Sequence, residues 1–282
     1  MRLTWPTVAL DDAHLDRLAV RLGRVPGVVG VVLGGSRGRG EAKPDSDTDL
    51  GLYYRGAIDI DRLREVAREI AGQQAQVTEH GGWGPWVDGG GWLRVDGHPV
   101  DLIYRDLDRV EDCWRRVRAG TNAFHVQTGH PLGVPDLAYP GELATSRVLA
   151  DPSGELSARR AEYQAYPPAL ATTMIDGLWE AGFLVDGAAK VTGRDDPAYL
   201  AMLLSRAMLL AAHAICAASG RWVTNEKGLI AIAARMPTAP AGFAESVSSV
   251  LGQVMPDPAT AVAEARELLE AVSRAVRPTS GG

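Results

Sequence analysis

The feature that most constrains this chain is a glycine-rich turn that separates two apolar segments and is followed by two closely spaced aspartates. Residues 28–33 form an apolar, β-branched run flanked by glycines, which predicts a buried strand. Gly35-Ser36 follows, in a turn whose backbone N–H groups are free to face an anion. Asp47 and Asp49 then introduce the next apolar run. Because residues two apart point to one face of a strand, the two carboxylates are predicted to lie side by side.

A third aspartate extends this pattern. Two carboxylates held close together repel one another unless a cation lies between them, and Mg²⁺ binds a few carboxylates together with water and phosphate oxygens. Asp101 lies inside the apolar run 100–104, where an unpaired charge would cost free energy. Either Asp101 lies at the strand edge and reaches water or it is a third metal ligand, and the upstream pair favours ligation. The sequence therefore predicts a site for a metal–nucleotide complex at the three carboxylates, next to the glycine–serine turn.

Composition limits the classes of function. The 282 residues are enough for a sizeable core in one large domain or two. The net charge of −6 argues against a non-specific nucleic-acid binder and is compatible with a cationic small substrate. Cys113 and Cys216 offer neither a disulfide framework nor the spacing of a metal knuckle, which favours a reducing, cytoplasmic location. The long apolar segment 199–219 contains Arg206 and His213, so we expect a buried core helix and not a membrane span.

The pattern of elements changes in the middle of the chain. Strands and helices alternate in the first part, and only helices are predicted after about residue 157. We expect an α+β fold, with a mixed β-sheet flanked by helices in residues 1–130 and a helical bundle in residues 131–282. Residues 123–127 are predicted to close the sheet, and residues 130–150 have no assigned element. The predicted helices are 11–22, 61–71, 109–119, 157–166, 170–189, 197–219, 226–235 and 260–276, and residues 278–282 are predicted to be a frayed tail.

The first part of the chain resembles the nucleotidyltransferase superfamily that includes DNA polymerase β. The pattern of that superfamily is Gly-Ser, about ten residues, Asp-x-Asp, and a carboxylate on a later strand. It is matched here by Gly35-Ser36, Asp47-x-Asp49 and Asp101, over roughly residues 28–105. The resemblance implies transfer of a nucleotidyl group from a nucleoside triphosphate, with ATP as the expected donor. It also implies two Mg²⁺ ions, held by the three aspartates.

The same resemblance assigns a role to the turn. Gly35 and Ser36 would hold the β- and γ-phosphates through backbone N–H groups and the hydroxyl. Three cationic side chains close by either neutralise the triphosphate or belong to a solvated loop. They are Arg37, Arg39 and Lys43.

The helical half is similar to kanamycin nucleotidyltransferase and related aminoglycoside-modifying enzymes, at residues 178–180 and 207–216. This similarity implies that Glu180 is the general base, with Asp101 as the alternative. It also implies a small hydroxylated acceptor, cationic in the case of an aminoglycoside-type antibiotic, and a homodimer. Neither a nucleic acid nor a membrane is expected as a partner.

Two other functions remain open. One is a protein-modifying, AMPylating nucleotidyltransferase of the antitoxin type, which would modify a tyrosine or serine of a partner; the long helical half favours a small-substrate pocket instead. The other is a nucleotide-binding module with a decayed site, which the presence of all three carboxylates disfavours.

Overall fold

The computed structural model describes residues 10–44, 46–194 and 196–277, so the predicted tail at 278–282 lies outside the described residues. The predicted α+β fold is confirmed: a mixed sheet flanked by helices is followed by a helical region. The strands are β1 (Val28–Leu33), β2 (Thr48–Tyr54), β3 (Gly90–Val95), β4 (His98–Asp106), β5 (Phe124–Gln127), β6 (His130–Pro135) and β7 (Arg147–Ala150). The helices are α1 (Asp12–Leu22), α2 (Gly35–Gly38), α3 (Ile60–Ala71), α4 (Leu107–Arg118), α5 (Ala138–Thr145), α6 (Glu155–Tyr163), α7 (Pro168–Asp176), α8 (Leu178–Ala189), α9 (Pro197–Ala218), α10 (Leu229–Ala233), α11 (Phe243–Gln253) and α12 (Pro258–Val276).

The chain forms two compact units that do not divide at a single residue. Unit 1 consists of the described residues up to Trp114, His125–Gly129 and Ala138–Gln164. Unit 2 consists of Arg115–Phe124, His130–Leu137 and the described residues from Ala165 onward. The domain limits 1–130 and 131–282 stay a prediction.

Unit 1 is built around a five-stranded sheet with the order β3-β4-β2-β1-β7. Strand β2 runs parallel to β4, and the other neighbouring pairs are antiparallel. Along β4 the side chains alternate between buried and partly exposed, which identifies one core face and one open face. The core face packs against the apolar sides of α1 and α3. The other residues of β4, Asp101 among them, therefore lie on the open face.

The strand predicted to close the sheet is the wrong one. In the described residues β5 is not part of the five-stranded sheet, and the edge next to β1 is β7. Val126 in the middle of β5 is 91% exposed, so this short strand does not supply the apolar face that a place in the sheet requires. Strand β7 comes from residues 130–150, for which the sequence predicted no element.

Unit 2 is organised around α9. This helix is apolar and long enough to cross a membrane by length and composition, and 67% of its most apolar window is buried inside the protein. The predicted helix 170–189 is interrupted at Gly177 and forms α7 and α8. The predicted helix 226–235 is wrong in extent: only α10 forms, after Gly228 in the left-handed conformation. Helix α11 was not predicted.

Candidate active site

The turn after β1 packs directly against β2. The Gly34 N–H donates a hydrogen bond of 2.8 Å to the carbonyl of Asp49. Gly35 has a φ of +57°, and a Cβ atom placed on it would lie 1.7 Å from Oδ2 of Asp49. Only glycine permits both this backbone conformation and this close approach. The glycine motif and the second aspartate of the Asp-x-Asp motif are therefore brought together by backbone packing.

The predicted carboxylates come together at one end of two parallel strands. Asp49 on β2 is directly opposite Asp101 on β4. Neighbouring strands lie about 4.8 Å apart, so the two backbones hold these side chains close together. Asp47 precedes β2 and is exposed, and its charge acts on both Asp49 and Asp101.

Burial and charge repulsion change the ionisation of Asp49 and Asp101. Burial raises the pKa of Asp49 to about 6, and the carboxylates of Asp47, Asp101 and Glu142 add to the effect. Burial also raises the pKa of Asp101, with a further contribution from Asp47. Arg39 opposes the shift of Asp49. Crowded carboxylates that resist ionisation are a donor set that a divalent cation would stabilise.

The chemistry of these donors fits a divalent cation, because all three are hard oxygen ligands. Within residues 10–44, 46–194 and 196–277, however, no group of three or more His, Cys, Asp or Glu side chains has the geometry of a metal site. The assignment of Asp47, Asp49 and Asp101 as metal ligands therefore stays a prediction, based on strand register and donor chemistry.

Arg37, predicted to neutralise a triphosphate, makes its contacts within the loop. Its Nε donates to the carbonyls of Ser46 and Asp47, at 3.2 and 3.0 Å, and its Nη2 donates to Ser46 at 2.6 Å. These bonds tie α2 to the residues that enter β2. Arg37 is therefore placed to fix the backbone of Asp47, which is a positioning role.

The other predicted phosphate ligands lie on the same loop. Ser36 is half-buried in α2, and its carbonyl accepts a 2.8 Å hydrogen bond from the Glu41 N–H. The Nε of Arg39 forms an ion pair of 2.9 Å with Glu41. Lys43 is exposed, and its backbone N–H donates to the Ser46 hydroxyl at 2.9 Å. The cationic residues thus lie in and after the turn along the chain, and their contact with a triphosphate stays a prediction.

A fourth carboxylate, which the sequence pattern does not reveal, belongs to this group. Glu142 on α5 contributes to the raised pKa of Asp49. Its Oε2 accepts hydrogen bonds from Arg105 Nε at 2.8 Å and Nη2 at 2.7 Å, and both side chains are largely buried. Arg105 follows Asp101 on β4, so this ion pair connects α5 to the strand that carries the third aspartate. Nothing in the sequence indicated it, since the dipeptide Pro140-Gly141 is typical of a turn.

The predicted general base, Glu180, belongs to unit 2. It lies in the first turn of α8, and its Oε1 accepts a hydrogen bond of 2.7 Å from Arg206 Nε on α9. The Arg206 guanidinium therefore contacts this carboxylate directly. The role of Glu180 stays a prediction.

Comparison with known proteins gives one family match and one listed structural similarity. No curated protein is significantly similar to the chain. Among solved structures, the chain is similar to a nucleotidyltransferase-like protein from Exiguobacterium sibiricum 255-15, with 9% identity and a TM-score of 0.41. That match covers 89% of this chain and 69% of the other. Residues 15–81, which contain the glycine turn and the Asp-x-Asp motif, match the family model of the nucleotidyltransferase domain.

Proposed function

We propose that this protein transfers a nucleoside monophosphate from a nucleoside triphosphate to a hydroxyl group of a small molecule and releases pyrophosphate. One observation carries the proposal: Asp49 and Asp101 are side by side on parallel strands, with the Gly34-Gly35 turn packed against Asp49. The family match over residues 15–81 supports the same chemistry. The proposed donor is ATP.

The residues have distinct roles in this reaction. Gly35 and Ser36 bind the β- and γ-phosphates through N–H and hydroxyl groups. The three aspartates hold two Mg²⁺ ions, which when bound stabilise charge on the entering and leaving oxygens. The acceptor oxygen forms a bond to the α-phosphorus while the bond from that phosphorus to the bridging oxygen breaks. The electron pair leaves with pyrophosphate.

The proton of the acceptor hydroxyl needs a base. Glu180 and Asp101 are the two candidates, and a well-placed base contributes roughly 10²- to 10⁴-fold in rate. Replacing Glu180 with glutamine separates them. If Glu180 is the base, turnover of this variant falls by that factor, while the affinity for the nucleotide stays the same.

The proposed acceptor is a cationic, hydroxylated molecule of the aminoglycoside type, because the net charge is −6 and carboxylates crowd the site. The test is incubation with Mg²⁺, each of ATP, GTP, CTP and UTP, and an aminoglycoside panel, followed by mass spectrometry. A drug that gains the mass of one nucleotide supports the proposal. A gain found only on a co-expressed protein contradicts it and supports the AMPylating alternative.

The same assay tests the proposed residues. Asp47→Ala and Asp101→Ala should abolish Mg²⁺-dependent transfer and leave the circular-dichroism spectrum unchanged. Asp186→Asn is the matched control, because Asp186 is an exposed aspartate of unit 2. Full activity in Asp47→Ala would show that the metal-site assignment is wrong.

A further inference from the structure

We propose that Trp92 is a stacking surface for a sugar ring of the acceptor; this inference rests on the proposed nucleotidyl transfer. Trp92 lies in the middle of β3 and is 70% exposed, although it is the largest apolar side chain type. One face of its indole ring stacks on Trp83, with ring centroids 4.7 Å apart and an interplanar angle of 26°. The part of the Trp92 indole that does not contact Trp83 is open to solvent.

The register of the sheet places this surface beside the carboxylates. Trp92 is directly opposite Asp101 in the β3–β4 pair, and Asp101 is directly opposite Asp49 in the β4–β2 pair. Residues that are opposite one another on neighbouring strands point to the same face of the sheet. The indole and the two carboxylates therefore form a row, in which Trp92 is about 5 Å from Asp101 and about 10 Å from Asp49 between Cα atoms.

Packing holds the aromatic pair in place. A Cβ atom on Gly90 would lie 2.6 Å from the ring of Trp83, so this ring rests on bare backbone of β3. The carbonyl of Trp83 accepts a 2.7 Å hydrogen bond from the side chain of Gln127. An aromatic surface that is already ordered loses little conformational entropy when a ligand stacks on it.

The stereochemistry of the reaction indicates which ligand meets Trp92. The entering and leaving oxygens lie on opposite sides of the α-phosphorus in an in-line transfer. The turn proposed to hold the leaving pyrophosphate follows β1, on one side of Asp49, and Trp92 is on β3, on the other side. The acceptor therefore enters from the side of Trp92. A flat indole surface suits the apolar C–H face of a sugar ring, while a hydroxyl of the same ring reaches the phosphorus.

The test is tryptophan fluorescence, with kanamycin A as a ring-bearing probe and spermine as a cationic probe without a ring. Wild-type protein should show saturable quenching by kanamycin A, Trp92→Ala should lose it, and Trp92→Phe should retain binding in a competition assay. Met255→Ala is the control for loss of an exposed apolar side chain, because Met255 is 72% exposed and has no proposed role. In steady-state assays, Trp92→Ala should raise the KM for kanamycin A about 10-fold and leave the KM for the nucleotide unchanged.

Three fluorescence results would overturn the inference: no saturable quenching of the wild type, equal quenching of Trp92→Ala, or equal quenching by spermine. Failure of the proposed nucleotidyl transfer gives a different set of results. If the wild type transfers no nucleotide, nucleotidyl transfer is wrong, while the quenching data still decide whether Trp92 binds a ring. If transfer occurs and Trp92→Ala leaves the KM for kanamycin A unchanged, the role of Trp92 is wrong and the function stands.

Discussion

At the scale of single residues, Asp49 couples folding stability to pH. Burial, together with Asp47, Asp101 and Glu142, raises its pKa to about 6 in the folded chain. An acid whose folded pKa is raised contributes stability below its unfolded pKa, near 4, and loses it as the pH rises through about 6. In metal-free protein, Asp49→Asn removes a charge that the fold disfavours at high pH. The variant should therefore be more stable than the wild type at pH 8, by about 1–2 kcal/mol after allowance for solvent screening.

The measurement is thermal unfolding in EDTA at pH 5 and pH 8. The gain in melting temperature from Asp49→Asn should be larger at pH 8 than at pH 5. An equal gain at both pH values would mean that the carboxyl of Asp49 titrates normally.

A second residue-scale prediction concerns Gly35. Gly35→Ala adds a methyl group that would lie 1.7 Å from Oδ2 of Asp49, in a backbone conformation with φ of +57°. The aspartate must move, so Mg²⁺-dependent transfer should fall by at least 10²-fold, of the order seen when a group is misplaced by about 1 Å. Steady-state kinetics and Mn²⁺ titration measure the effect.

Gly40→Ala is the control for this variant. Gly40 has a similar φ of +70°, and a Cβ atom there would have no neighbour within 4 Å. Both variants should lose about 1 kcal/mol of stability from backbone strain, but only Gly35→Ala should lose activity. Equal loss of activity in both would show that loop strain, and not contact with Asp49, is responsible.

At the scale of secondary-structure elements, the ion pair of Arg105 and Glu142 holds α5 against β4. Both side chains are largely buried, so Glu142→Gln leaves a buried guanidinium without its charged partner. This should cost about 3–5 kcal/mol in the free energy of unfolding, measured in urea. The double variant Arg105→Met, Glu142→Leu should recover most of the loss.

The exposed pair of Arg266 and Asp186 is the matched control for this cost. Their side chains are 50% and 66% exposed. Asp186→Asn should therefore cost no more than about 1 kcal/mol. If Glu142→Gln costs no more than Asp186→Asn, the ion pair of Arg105 and Glu142 does not hold α5 against β4.

Much of the arrangement of strands and helices is predictable from the sequence, and each wrong or missing prediction has a physical cause. The glycine turn, the Asp-x-Asp motif and the strand of Asp101 were predicted because apolar runs and glycines mark buried strands at short range. The order of strands was not predicted, because β7 pairs with β1 across more than a hundred residues. Short-range sequence patterns do not indicate which distant strands pair. Glu142 was missed for the same reason. Its helix contains Pro140 and Gly141 and forms because tertiary packing outweighs intrinsic propensity.

At the scale of the whole molecule, the charge balance predicts that binding of the proposed cationic acceptor is sensitive to salt. A chain with net charge −6 attracts a cationic acceptor through a field that salt screens over about 8–10 Å. Raising NaCl from low concentration to about 0.3 M should therefore increase the KM for a polycationic aminoglycoside several-fold. Initial-rate assays measure this, with a neutral monosaccharide acceptor as the comparison. A KM for the aminoglycoside that does not respond to salt would show that its binding does not depend on charge.

The position of β7 at the edge of the sheet has a consequence for biosynthesis. Until Arg147–Ala150 leave the ribosome, the outer side of β1 exposes unpaired N–H and C=O groups, although β2, β3 and β4 have already been made. Such an edge pairs readily with strands of other chains. A nascent or truncated chain that stops near residue 130 should therefore self-associate through β1, and adding residues up to the end of α6 should suppress this. The open edge of β1, the strand before the glycine turn, is thus paired only by a strand that is synthesised well after it.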